Sequence, residues 1–142
     1  MKKLISHTLL AALACTAGLA QAQTIVADFQ GPGGHSSSNY GRTSALHAAA
    51  RTAVELQKAG LPAGSYTVSS LSGGNSVNSI ASDGKLVVQL NAASGISASD
   101  LLAKVTAAAK TGAEAENAFR NVKPGDLTAG APADIRYTVK QQ

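Results

Sequence analysis

Tryptophan is absent from this 142-residue chain, cysteine and methionine occur once each, and two phenylalanines and three tyrosines make up its aromatic complement. A single cysteine, Cys15, excludes an internal disulfide. So few rings, with alanine carrying much of the apolar content, exclude a core built on bulky anchors. A core of small side chains holds only if helices can sit close on a sheet. Clusters of one charge are missing too. Beyond Lys2 and Lys3 the cations stand singly (Arg42, Arg51, Lys58, Lys85, Lys104, Lys110, Arg120, Lys123, Arg136, Lys140), so no stripe tracks a phosphate backbone and no nucleic-acid partner is expected. Nor does any apolar run reach the roughly 20 residues that span a bilayer.

What is present at the start reads as an export signal. Met1-Lys2-Lys3 precedes an apolar stretch from Leu4 to about Leu19, and Ala20-Gln21-Ala22 offers small residues at a cleavage site. Cleavage near Ala22 predicts a chain starting at Gln23 that works in the periplasm or outside the cell. The rival reading is a lipoprotein anchored through an acylated Cys15 after Ala12-Leu13-Ala14, with Ala12 where such sites usually carry leucine. Removing Lys2 and Lys3 from twelve basic residues leaves ten against eight acidic ones, so the formal charge drops from +4 to +2. The ~120 residues from Gln23 onward are enough for one domain.

Along that domain the hydrophobic period predicts an α+β fold. Residues 24–29 suit a short first strand. The Gly/Ser-rich stretch near 31–41 reads as a flexible loop. Thr43 or Ser44 caps a helix running to about Ala59, closed by Gly60 and Pro62. Three strand-like runs follow (65–71, 76–81 and 85–91) and read as a meander, with Gly73-Gly74-Asn75 and Ser82-Asp83-Gly84 as its turns. Ser97 and Asp100 have capping-box spacing at the head of a second helix. That helix is expected to stop at Gly112, before a short third one anchored by Phe119. Residues 134–140 alternate as a closing strand, with Ile135, Tyr137 and Val139 inward. The sum is one mainly antiparallel sheet of four to five strands with two main helices on one face, and a ferredoxin-like split arrangement is one route through it.

Chemistry is sparse. Gly31-Pro32-Gly33-Gly34-His35 lacks the lysine and the immediate helix start of a phosphate loop. His35 and Tyr40 are weak candidates for haem or metal ligation, since exported proteins use both residue types on iron. His47 falls on the polar stripe of the first helix beside Arg51 and Glu55, where Arg51–Glu55 and Glu55–Lys58 pairs are expected. Glu114 and Glu116, two apart on a helix, diverge and read as surface charges. No Gly-x-Ser-x-Gly elbow marks a nucleophile.

The function expected from sequence is therefore a cofactor-free, non-catalytic binding or assembly module, with another envelope or secreted protein as partner and no role as an enzyme. The loop at 31–41 and an open sheet edge would be its working surfaces. A haem or metal carrier using His35 and Tyr40 stands as the alternative, and a small hydrolase after it.

Overall fold

The computed structural model describes residues 23–142. The expected export signal, its cleavage site at Ala22 and the alternative anchor at Cys15 lie outside the described residues. In chain order the elements are strand β1 (Thr24–Gln30), a two-residue strand β2 (Gly34–His35), helix α1 (Ala45–Gln57), β3 (Tyr66–Ser72), the short β4 (Ser79–Ile80) and β5 (Asp83–Leu90). A 3-10 turn (Ala92–Ser94), helix α2 (Ala98–Phe119), the short pair β6 (Leu127–Thr128) and β7 (Ala131–Pro132), and β8 (Arg136–Gln141) complete the chain.

Four strands form one antiparallel sheet in the order β3-β5-β1-β8. With α1 between β1 and β3 and α2 between β5 and β8, this is the ferredoxin-like split arrangement. Alternation along β1 and β5 places Ile25, Ala27, Phe29, Leu86, Val88 and Leu90 against the helices, which return Ala45, Ala48, Ala49 and Leu56 from α1 and Leu101, Val105, Ala108, Ala109 and Ala113 from α2. Ile135 closes this core beside β8, and Tyr137 lies 6.2 Å from Phe29, ring centre to ring centre.

Close approach replaces bulk, as the shortage of aromatics requires. A Cβ on Gly112 would lie 2.7 Å from the Thr52 nitrogen and 2.9 Å from the Ala48 oxygen, so α2 crosses α1 there on bare backbone. A Cβ on Gly84 would run into the Ala45 carbonyl, which brings the start of α1 down onto β5. Sequence spacing predicts punctuation at both glycines, and the structure differs. Asp83-Gly84 is inside a strand, not a hairpin turn, and Gly112 is inside a helix, not at its end. The residue that leaves the helical region is Asn121, at φ 56°, one step after the Arg120 cap, so the expected third helix is the last part of α2.

The meander is also corrected. β3 pairs directly with β5, Leu71 opposite Leu86 and Ser72 opposite Lys85, and the polar run between them leaves the sheet. Ser76, Asn78 and Ser79 had no apolar face to contribute. They fold over the β1–α1 connection instead, where Ser79–Ile80 pair with Gly34–His35. That connection is tied to the neighbouring chain: Gly31 donates to the Ser82 carbonyl at 2.9 Å, Ser36 to that of Asn78 at 2.9 Å, and Ala45 to that of Ala81 at 3.0 Å.

Helix starts follow the expected chemistry. Ser44 caps α1, its hydroxyl accepting from the His47 N–H, and Ser97 caps α2 in a reciprocal box with Asp100. The Ser97 hydroxyl, and then its backbone N–H, holds the Asp100 carboxyl below its ordinary pKa.

Candidate functional site

Three features stand out once the fold is in place. The first is the His35 turn. Ser37 Oγ lies 2.8 Å from His35 Nδ1, and Asn78 Nδ2 lies 3.1 Å from Nε2. The His35 carbonyl accepts from the Asn39 backbone and side-chain amides, each at 3.0 Å. Gly34 allows this by adopting φ 130°. The ring faces a serine and an amide, so among the described residues no Ser-His-acid relay is assembled around His35.

Tyr40, the other sequence candidate, is 91% exposed, and no described residue hydrogen-bonds its side chain. It belongs to a second feature, an open hollow of about 540 Å³ bordered by Tyr40, Arg42, Thr43, Val122, Asp126 and Leu127 among others. His35 is not on that border, so the two candidates occupy separate surroundings. Arg42 Nη1 donates to the Gly33 carbonyl at 3.0 Å, and Thr43 Oγ1 to that of Ala133 at 2.6 Å, fixing the floor of the hollow. Among the described residues no group of three or more His, Cys, Asp or Glu side chains is placed to hold a metal ion.

The third feature was missed in the sequence. Glu116 is fully buried, not a surface charge. Its Oε1 accepts the Ser44 N–H at 3.0 Å, its Oε2 accepts Arg51 Nε at 3.1 Å, and Arg120 Nε and His47 Nδ1 lie 3.5 and 3.8 Å from Oε1. Arg51 therefore turns to Glu116 instead of the expected Glu55, which pairs with Lys58 at 2.7 Å. Phe119, expected as a buried anchor, is 66% exposed and carries the Arg51 and Arg120 guanidiniums 5.1 and 4.9 Å from its ring centre. The signal was present: the buried stripe Val105, Ala109, Gly112 extends at helical spacing to Glu116.

The sheet edges differ from one another. β3 (Tyr-Thr-Val-Ser-Ser-Leu-Ser) bears no charge, and its Val68 and Leu71 are exposed, whereas β8 carries Arg136 and Lys140. Along α1, Ala48, Thr52 and Glu55 mark the side toward α2, which leaves the uncharged Leu46, Ala50 and Ala53 on the flank toward β3. No helix among the described residues is long and apolar enough to cross a membrane.

The same architecture occurs in solved enzymes. A putative amidohydrolase/peptidase from Burkholderia cenocepacia matches 85% of this chain with a TM-score of 0.58 at 16% identity, over 27% of its own length. A hydantoinase/carbamoylase family amidase from Burkholderia ambifaria gives a TM-score of 0.55 at 18% identity, covering 85% of this chain and 27% of that one. The aminopeptidase PepT from Bacillus cereus gives 0.53 at 15% identity, covering 85% and 29%. The chain thus spans under a third of these structures, and at such identities the likeness is one of fold. No curated protein matches. Residues 17–117, however, match the peptidase dimerisation domain, a region that begins inside the stretch read as an export signal.

That match overturns the expectation of a non-catalytic binding or assembly module with no part in an enzyme, and the haem or metal carrier kept beside it. On the extent of the match, the chain belongs to the peptidase dimerisation domain family.

Proposed function

We propose that this chain is the self-association domain of a hydrolase of the peptidase and amidohydrolase kind, and that two copies join through β3 and the adjoining flank of α1. The partner is then a second copy, in the place of the envelope protein expected from sequence. The observation that carries the reading, beside the family itself, is the contrast between the two sheet edges. A strand edge that meets only water is ordinarily blunted with charge, as β8 is by Arg136 and Lys140. β3 has no such protection. Two copies related by a two-fold axis could continue the sheet antiparallel, each β3 supplying main-chain donors and acceptors to the other, while Val68 and Leu71 leave water.

Cysteine trapping tests the geometry. In a chain carrying Cys15→Ser, a single Ser70→Cys on β3 forms a disulfide-linked dimer under mild oxidation, and Thr138→Cys on β8 does not. Linkage through Thr138→Cys alone would place the contact at the wrong edge.

Export with cleavage near Ala22 into the periplasm or the medium is part of the proposal on the strength of the N-terminal pattern. Intact mass of the product expressed from the full-length gene distinguishes a start at Gln23 from a lipid-modified start at Cys15.

A further inference from the structure

The Glu116 hub does more than fasten two helices. Glu116 is spent on the Nε atoms of Arg51 and Arg120, and no described residue takes the terminal amino groups of either guanidinium. Those groups belong to side chains that are 37% and 21% exposed. Between them lies the exposed Phe119 ring, with the half-exposed His47 beside the same carboxylate. Two arginines outweigh one glutamate, so the patch keeps a surplus of positive charge. Its donors are held in place at both ends, by an ion pair at Nε and by a ring face under the guanidinium. A rigid Arg-aromatic-Arg surface of this type binds carboxylates end-on and shelters the contact with the ring.

We infer that Arg51, Phe119, Arg120 and His47 form a docking surface for an acidic peptide segment of another polypeptide, whose carboxylates meet the outward ends of the two guanidiniums while an apolar side chain covers Phe119. Charge complementarity selects this occupant, and the chain's own acids argue against a second copy. Asp28 pairs with Lys85, Glu55 with Lys58 and Glu114 with Lys110, while Asp83, Asp100 and Asp126 accept the backbone N–H groups of Gly74, Ser97 and Lys123. Among the described residues only Asp134 has no such partner, and one half-buried acid does not make an acidic segment. The surface lies where α1 meets α2, away from β3, so it is independent of the self-association proposed above.

The test is an NMR titration of the isotope-labelled full chain with a blocked hexapeptide alternating glutamate and leucine. Saturable shifts centred on Arg51, Phe119 and Arg120 are expected, with the dissociation constant raised at least tenfold by Phe119→Ala or by Arg51→Lys. The glutamine-leucine peptide should leave the spectrum unchanged. Phe119→Ala removes an exposed ring and leaves the fold and the oligomeric state intact, so it decides the matter even if Arg51→Lys perturbs folding. Peptide binding indifferent to Phe119→Ala overturns the inference. So does equal binding of the glutamine peptide, and so does displacement by inorganic phosphate at matching concentration, which would mark a small-anion site instead.

Discussion

Glu116 Oε1 accepts the backbone N–H of Ser44 at 3.0 Å, tying the last turn of α2 to the N-cap of α1 across 72 positions of sequence. The carboxylate thereby satisfies a donor at a helix start, where negative charge is favoured, while Arg51 and Arg120 neutralise it. Removing it should leave two arginines and a buried N–H without their partner. Glu116→Ala is expected to lower unfolding free energy by about 3 kcal/mol, the scale of breaking a buried pair from one side. In urea denaturation the loss should shrink when Arg51→Ala is already present, because the two residues share one interaction.

Gly112→Ala is expected to destabilise, although alanine is the better helix former. A methyl at 112 meets Thr52 and the Ala48 carbonyl, which are backbone and short side chain with little room to yield. Overpacking on the order of 2 kcal/mol outweighs the helix-propensity gain of about 1 kcal/mol, and thermal melts should show a net fall. An unchanged or raised melting temperature would mean that the helices can part at no cost.

The capping box sets a pH signature. Asp100 is held below its ordinary value of 3.8 by the Ser97 hydroxyl and backbone N–H, so the folded state favours its ionised form. A group with a depressed folded pKa contributes stability above its unfolded pKa and loses it as pH falls through the folded one. Ser97→Ala should cost about 1 kcal/mol at neutral pH through the lost cap. It should also flatten the part of the acid stability profile below pH ~4, and a variant with the same acid slope as the parent would show that Ser97 is not the cause.

Much of the fold was legible because alternation and capping are local signals. Leu86, Val88 and Leu90 pointed inward as their spacing required, and Ser44, Ser97 and Gly60 marked helix ends where expected. The misreadings share one cause. Gly84 and Gly112 are glycine because another element presses on them, a tertiary demand that looks like a turn or a stop when only neighbours in sequence are visible. Glu116 and Phe119 exchanged roles for a similar reason. A charge is buried when distant donors reach it, and a ring stays outside when arginines cover its face. The proposed self-association was illegible in motifs, because edge pairing uses backbone groups and asks of the side chains little except the absence of charge.

That absence on β3 is the centre of the account, and sedimentation velocity over a concentration series tests it most directly. The parent chain is expected to run as a dimer and Val68→Lys as a folded monomer, because two-fold pairing brings the new charges close together in an interface that has no acid to receive them. A parent that stays monomeric at every concentration, or a dimer that survives Val68→Lys, would contradict self-association through β3.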